Sequence, residues 1–198
     1  MHTRLLIVFS LLIGHTSFAN SEWPPVKGAE VSGIEFINHR GVTKKLAHLS
    51  GRATILEFVG MNCPACNGFA GGNSKPIKYK NMRSQKGLKS FDKYFERFSK
   101  VGSIRNANIN FIHILIFDIK NKPTSIEDAK SWHSFYGSKF GPKFEVWVPK
   151  KDLTGISYDL IPGFALIDRH GKYQSLSVGP VPKTNLYTEF LPIIKNFL

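Results

Sequence analysis

The two cysteines of the chain, Cys63 and Cys66, have a spacing that permits chemistry. They are the only cysteines among 198 residues, and Pro64 and Ala65 separate them. A Cys-x-x-Cys pair can exchange disulfides, because one thiolate attacks and the other resolves the mixed disulfide. The same pair can give two soft ligands to zinc or copper. A bridge across so short a loop would add little stability, which favours a redox-active pair over a structural disulfide.

The residues around the pair are those of a strand that runs into a helix. Residues 53–59 are mostly apolar, several are β-branched, and glycines flank them, which predicts a buried strand. Pro64 suits the first position of a helix and places Cys63 at the N-cap, beside free N–H groups and the positive end of the helix dipole. We therefore predict that Cys63 is the nucleophile and Cys66 the resolving thiol. Pro64 and Ala65 carry no charge, so the direction of electron flow stays undetermined.

An acidic residue, Glu57, interrupts the apolar strand. A carboxylate inside a buried strand is costly unless it is paired or protonated. If Glu57 lies beneath the cysteines, it can relay the Cys66 proton as a general base. The alternative is a partly exposed glutamate at the edge of a sheet.

Further strands are predicted on both sides of this unit. Runs of alternating or apolar residues between turn signals indicate strands at 34–37, 42–46, 110–118 and 144–148 and a hairpin at 163–178. The first two strands would form an N-terminal hairpin, and 110–118 is apolar enough for a central strand. His113 within it is predicted to be a satisfied buried histidine.

Helices are predicted between these strands. The helix after Cys63 is expected to be short because glycines follow it closely. Apolar periodicity predicts amphipathic helices at 90–100 and 184–198, the second with a kink at Pro192. Thr124 and Glu127 have capping-box spacing and predict a helix from there to about Tyr136. Together these elements predict an α/β fold, with a central mixed sheet flanked by helices.

The chain is basic, with a formal net charge of +13. Lys and Arg are densest at 73–100, within a predicted basic insertion at about 71–100 that follows the Cys-x-x-Cys helix. Such a charge attracts acidic partners in general. We predict a solvated basic surface with at most a weak attraction to anionic membranes, and no nucleic-acid partner.

The N-terminus has the pattern of a secretory signal peptide at 1–19. Arg4 gives the positive charge, residues 5–13 form a short apolar run, and Ser17 to Ala19 place small residues at a cleavage site. The alternative is an uncleaved N-terminal anchor. We predict a single exported domain at 20–198, located in the periplasm.

The sequence resembles the thioredoxin superfamily, and within it the exported TlpA-like and cytochrome-maturation-like thiol:disulfide oxidoreductases. The resemblance rests on the strand before Cys63-Pro64-Ala65-Cys66, on Glu57 six positions before the first cysteine, and on Ile161-Pro162 ahead of a predicted hairpin. The hairpin carries Asp168 and Gly171 as an Asp-x-x-Gly turn, and residues 34–46 look like the N-terminal hairpin extension of this branch.

The resemblance implies a thioredoxin-like fold and a set of site residues. Pro162 would be cis and lie against the cysteines, and the Ile161 backbone would pair with an extended substrate. Cys63, Cys66 and Glu57 would carry out the exchange with protein thiols or disulfides, without a cofactor, and with a membrane or periplasmic redox partner.

The sequence departs from the family pattern at two places, and it leaves three other functions open. Asn62 stands where many members have an aromatic residue, and the Gly-rich basic stretch at 68–89 is unusual. Copper or metal delivery would need a histidine, such as His113 or His170, to complete a site. A thiol peroxidase is disfavoured. In such enzymes a proline and a threonine precede the reactive cysteine at fixed spacing, and other residues occupy those positions before Cys63. A non-enzymatic binding module would keep the disulfide locked.

Overall fold

Seven strands form the centre of the part of the chain that the structure, a computed structural model, describes: residues 23–49, 51–178 and 184–198. The strands are β1 (Glu35–Asn38), β2 (Thr43–Lys45), β3 (Thr54–Gly60), β4 (Asn110–Phe117), β5 (Phe144–Pro149), β6 (Gly163–Ile167) and β7 (Tyr173–Val178). They form one mixed sheet in the order β2-β1-β5-β4-β3-β6-β7. The predicted signal peptide lies outside the described residues.

Strand β3 occupies an interior position in this sheet. It pairs in parallel with β4 and antiparallel with β6, and all seven of its residues are buried. The predicted hairpins are confirmed, since β1 pairs antiparallel with β2 and β6 with β7. Because β3 is interior, the alternative of a sheet-edge position for Glu57 is wrong.

Each face of the sheet packs against its own hydrophobic core. Successive side chains of a strand point to opposite faces. Ile55 and Val59 therefore join one core, which also holds Cys66, whereas Leu56 and Phe58 join the other. Glu57 has the strand parity of Ile55 and Val59, so it faces the core that contains Cys66.

The helices are α1 (Pro64–Phe69), α2 (Phe91–Phe98), α3 (Ile126–Tyr136), α4 (Thr154–Ser157) and α5 (Leu191–Ile193). The first is short, as predicted, and Gly71 follows it with a positive φ of 97°. Between α1 and α2 the basic insertion is mostly irregular, with two 3-10 turns. In the described part of the chain no helix is long and apolar enough to cross a membrane.

The cap of α3 differs from the prediction by one residue. Ser125 is the N-cap and forms a capping box with Asp128: its hydroxyl accepts from the Asp128 N–H, and the Asp128 carboxylate accepts from the Ser125 N–H. The Thr124 hydroxyl instead donates to the Leu115 carbonyl at 2.7 Å, outside the helix. The predicted Thr124 and Glu127 box is therefore wrong.

The predicted C-terminal helix is also irregular. A π-helical turn at Leu186–Phe190 precedes the single turn of α5, and a 3-10 turn at Ile194–Phe197 follows. Pro192 has no N–H to donate, so regular helical winding cannot continue through it. The prediction of one helix with a kink is replaced by three short turns of different winding.

Candidate functional site

Cys63 lies at the N-cap of α1 and is partly exposed. Its sulfur accepts a hydrogen bond from the Cys66 backbone N–H at 3.2 Å. The predicted N-cap position of Cys63 and the N1 position of Pro64 are both confirmed. Cys66 lies one turn further along α1 and is 0% exposed, and neither cysteine is in a disulfide.

The two thiols have opposite electrostatic environments. The Cys66 thiol, which donates to the Cys63 sulfur, lowers the pKa of Cys63, and the backbone N–H groups of Cys66 and Ala65 act in the same direction. Burial raises the pKa of the Cys66 thiol well above its usual value, and the neighbouring Cys63 and Glu57 raise it further. An accessible thiolate next to a buried thiol is the arrangement that separates an attacking from a resolving cysteine.

Asn67 holds the loop that carries Cys63 in place. This buried amide donates to the Met61 carbonyl at 2.9 Å and to the Cys63 carbonyl at 3.0 Å. Its own oxygen accepts from the Tyr136 hydroxyl of α3 at 2.8 Å. Neither Asn67 nor Tyr136 is marked by a sequence motif, because an asparagine one position after Cys66 gives no sign of which backbone groups it will bind.

Glu57 is fully buried and contacts a histidine. His113 faces it across the parallel β3–β4 pair, and His113 Nε2 lies 2.9 Å from Glu57 Oε2. The other ring nitrogen, Nδ1, accepts from the indole N–H of Trp132 at 3.0 Å. The predicted burial of Glu57 and His113 is therefore confirmed, whereas the Trp132 contact was not predicted.

A groove of about 480 Å³ opens beside Cys63. Ile161 lines it, together with the rings of Phe117 and Tyr158, which stack with their centroids 6.2 Å apart. Tyr158 is 71% exposed, so its ring is free to contact a ligand. The Ile161–Pro162 peptide is cis, as the resemblance implies.

The backbone of Ile161 is partly engaged within the chain. Its N–H donates to the Tyr158 carbonyl at 3.2 Å. A substrate strand that paired with this N–H would have to replace that bond. The next residue, Pro162, has no N–H to offer.

The histidines considered for a metal site are not positioned to join the cysteines. His113 has one nitrogen engaged by Trp132 and the other facing Glu57. His170 follows β6, whereas Ile161 beside Cys63 precedes that strand, so the length of the strand, roughly 16 Å, separates them. Among the residues that the structure describes, no group of three or more His, Cys, Asp or Glu side chains could hold a metal ion.

Comparisons with known proteins find similarity in structure but not in sequence. No protein-family model and no curated protein matches this sequence. A SCO1/SenC family lipoprotein from Bacillus anthracis strain Ames superposes with a TM-score of 0.53 at 14% identity, covering 85% of this chain and 94% of that one. ScoI of Bradyrhizobium japonicum, solved with copper bound, gives 0.51 at 14% identity, covering 87% and 100%. For MTB dsbF, solved in mixed oxidized and reduced forms, the values are 0.50 and 13%, covering 84% and 96%.

Each of these neighbours superposes on 84–87% of this chain. The chain has a thioredoxin-like fold. At this level of identity the likeness extends to the fold alone, so the activity has to be argued from the site.

Within the thioredoxin-like fold, three separate segments meet at the site. The β3–α1 unit supplies Glu57 and the cysteines, β4 supplies His113, and the loop before β6 supplies Ile161. Sequence motifs predicted the contributions of the β3–α1 unit and of the loop before β6. Since no motif marks His113 or Trp132, their contribution follows only from the register of β3 against β4 and from the packing of α3.

Proposed function

We propose that this protein is a thiol:disulfide oxidoreductase that exchanges disulfides with protein substrates through Cys63 and Cys66. The observation that carries the proposal is the difference between the two thiols. Cys63 is accessible and stabilised as a thiolate at the start of α1, whereas Cys66 is buried, close by and held protonated.

The exchange takes place in two steps. The Cys63 thiolate attacks one sulfur of a substrate disulfide, an S–S bond forms, and the other substrate sulfur leaves as a thiolate. Cys66 then loses its proton and attacks the Cys63 sulfur, which releases the second substrate thiolate. The substrate disulfide is reduced, and Cys63 and Cys66 become a disulfide. Each step is reversible, so the same residues serve an oxidant or a reductant according to the potential of the partner.

Glu57 is proposed as the group that receives the Cys66 proton. It is fully buried and points to the face of the sheet that packs against the core containing Cys66. Its negative charge raises the pKa of both cysteines, which disfavours a thiolate on either one. A carboxylate that takes the proton removes that penalty at the moment when the Cys66 thiolate is needed.

The groove beside Cys63 is proposed to bind the substrate segment that carries the cysteine. The stacked rings of Phe117 and Tyr158 offer an apolar surface, and Asn62 and Asp159 offer polar groups. An extended segment lying there would place its sulfur next to Cys63 and its backbone next to Ile161 and Pro162. The partners are therefore protein thiols and disulfides.

We further propose that the protein acts after export, as a single domain at 20–198 in the periplasm, with a membrane or periplasmic redox partner. The signal-peptide pattern at 1–19 supports export. An oxidising compartment is also where a disulfide pair of this kind is used.

The decisive experiment is a redox titration of the purified protein against glutathione and dithiothreitol buffers, together with an insulin reduction assay. We expect a two-electron equilibrium between dithiol and disulfide, and insulin reduction that Cys63→Ser abolishes. Cys66→Ala should retain the attack and accumulate mixed disulfides with substrates, because the resolving thiol is missing.

The same preparation distinguishes the other functions. A pair that never exchanges with either buffer contradicts the proposal and favours a binding module with a locked disulfide. Stoichiometric copper or zinc retained through purification, and lost in both cysteine variants, favours metal delivery.

A further inference from the structure

The buried contact between Glu57 and His113 leaves hydrogen-bonding capacity unused. Both side chains are 0% exposed, and His113 Nε2 lies at ion-pair distance from Glu57 Oε2. The contact is not an aligned hydrogen bond, so within the described residues neither Glu57 oxygen nor His113 Nε2 has an aligned partner. Buried polar groups are normally satisfied, and exceptions often coincide with a catalytic role.

The indole of Trp132 determines where His113 carries its proton. An indole N–H can only donate, and it donates to His113 Nδ1 at 3.0 Å. Nδ1 must therefore keep its lone pair, and the proton of a neutral imidazole lies on Nε2. While the indole donates to it, Nδ1 cannot also carry a proton. His113 thus presents an N–H to Glu57 and cannot take a proton from it.

This arrangement keeps Glu57 available as a proton acceptor. If His113 could accept at Nε2, the pair would be stable with a proton already on the carboxyl group. Because Trp132 blocks that tautomer, the Glu57 carboxylate faces a donor, and its remaining lone pairs stay free. The titratable groups around the pair are Cys63 and Cys66 from α1 and His133 from α3. From α2 and β6 the same core receives the aromatic rings of Phe91 and Phe164.

We infer that His113 and Trp132 are positioning residues that keep Glu57 unprotonated until Cys66 gives up its proton. The inference rests on the proposed function. In the resolving step the Cys66 proton passes to Glu57, the Cys66 sulfur bonds to the Cys63 sulfur, and the bond from Cys63 to the substrate sulfur breaks with its electron pair on the substrate. Neither His113 nor Trp132 touches the reacting sulfurs; both act through Glu57.

The test follows the two thiols separately with dithiobis(nitrobenzoate), a small disulfide whose released thiolate is coloured. Attack by Cys63 releases one thiolate, and resolution by Cys66 releases the second. We expect Glu57→Gln to slow the second release about 100-fold at neutral pH. We expect Trp132→Phe to slow it about tenfold, the rate equivalent of one lost hydrogen bond, and to move its pH profile to higher pH. In Trp132→Phe the first release should change by less than about twofold, since Trp132 does not touch Cys63. In Glu57→Gln the first release should not become slower, because the Glu57 charge raises the pKa of Cys63 and its removal favours the thiolate.

Trp147→Phe is the matched control. Trp147 is another fully buried tryptophan with an indole hydrogen bond, to Glu145, but it belongs to the core on the opposite face of the sheet. The Trp147→Phe variant should lose a comparable amount of packing and leave the rate of the second release unchanged. A second release with wild-type rate and pH profile in Trp132→Phe overturns the inference, whatever Glu57→Gln shows. A wild-type protein that gives no second release contradicts the proposed function instead.

A second measurement observes the tautomer in the wild-type protein itself, and a variant is needed only to assign the signals. In the wild-type protein with nitrogen-15 histidine, the signals of His113, assigned by their loss in His113→Gln, should show a bare Nδ1 and a protonated Nε2 across the pH range of activity. A protonated Nδ1 at any pH in that range overturns the inference.

Discussion

Cys63 and Cys66 show how one helical turn can separate two chemically identical groups. The first sulfur lies at the helix N-terminus, where backbone N–H groups stabilise negative charge, and the second lies inside the core. The largest influence on Cys63 is the thiol of Cys66 itself, so each cysteine sets part of the reactivity of the other.

The first prediction concerns the alkylation of Cys63. Iodoacetamide should modify Cys63 in the wild-type dithiol at a lower pH than an ordinary cysteine, because the pKa of this thiol is lowered. In Cys66→Ala the pH midpoint of alkylation should move up, since the thiol that donates to Cys63 is gone. Mass spectrometry across a pH series gives the midpoint.

Cys63→Ser provides the control for Cys66. The remaining thiol should resist alkylation in the folded protein and react once the chain is unfolded in urea, because burial raises its pKa and blocks access. An unchanged Cys63 midpoint in Cys66→Ala would contradict the assignment of the Cys66 thiol as the main cause.

Asn67 carries a second prediction at the scale of single residues. Asn67→Leu keeps the volume but leaves the Met61 and Cys63 carbonyls and the Tyr136 hydroxyl without their partner in a buried site. We expect a loss of about 3 kcal/mol or more in the free energy of unfolding, and about 1–2 kcal/mol for Tyr136→Phe. Urea denaturation measures both.

Asn73→Leu is the matched control for this change. Asn73 also donates to two carbonyls, those of Gln85 and Leu88, but its side chain is exposed. Water can replace its hydrogen bonds, so the loss should be less than about 1 kcal/mol. Equal losses in Asn67→Leu and Asn73→Leu would show that burial does not set the cost.

At the scale of elements, the start of β6 has no room for a side chain at Gly163. A methyl group on Gly163 would lie 2.4 Å from the Leu160 carbonyl oxygen and 2.7 Å from the Val178 Cα, both backbone atoms. Gly163→Ala should therefore cost about 3 kcal/mol or more and displace the adjoining cis-Pro162 loop, with a loss of insulin reduction.

Gly155→Ala in α4 is its control, because a methyl group there meets nothing within 4 Å. It should be neutral or slightly stabilising, by up to about 1 kcal/mol, since alanine favours a helix. Urea denaturation of both variants makes the comparison, and a Gly163→Ala protein as stable as Gly155→Ala would contradict the crowded backbone at β6.

The elements also show what local patterns can and cannot predict. Apolar runs identified β3 and β4 because a strand buried on both faces has no polar side, and Cys-Pro marked the start of α1. The cap of α3 was misplaced because Thr124 bonds to Leu115 in a different element. Contacts between Glu57 and His113 depend on strand register, which a single sequence does not specify.

At the scale of the whole molecule, acid should weaken the fold through a histidine pair that joins β1 to α3. The rings of His39 and His133 stack with centroids 3.7 Å apart, and the Val146 N–H donates to His39 Nδ1. Burial, His133 and Arg40 lower the pKa of His39 to about 4, and burial and Arg40 also lower the pKa of His133. Both histidines therefore bind fewer protons in the folded state than in the unfolded state.

The free energy of unfolding should therefore fall as the pH drops from about 6.5 to about 4. Over this range the unfolded chain binds protons that the folded chain does not bind. We expect a slope below about 1 kcal/mol per pH unit, because both rings are partly solvated. Urea denaturation across this range should give a smaller slope for the double variant His39→Gln, His133→Gln. An equal slope would assign the acid sensitivity to other groups.

The general class of the fold was predictable, because a strand leading into Cys-x-x-Cys and a later Ile-Pro hairpin are specific in combination. The winding of the C-terminal turns was not predictable. It depends on how Pro192 interrupts a helical segment whose apolar side chains pack into the core. Nor did the sequence show that the N-terminal lead-in enters the core. Trp23 packs its ring against Phe36 and Phe58, and its indole N–H donates to the Ser157 hydroxyl at 2.7 Å.

The position of Trp23 sets a limit on proteolytic maturation. Any protease that trims the N-terminus has to stop before this residue, because removing it would open a cavity between Phe36 and Phe58 at a cost of about 3–5 kcal/mol. The predicted cleavage after Ala19 leaves three residues ahead of Trp23. We expect intact-mass measurements of the processed protein to find its first residue at or before Trp23, and Trp23→Ala to shorten its survival in a protease challenge.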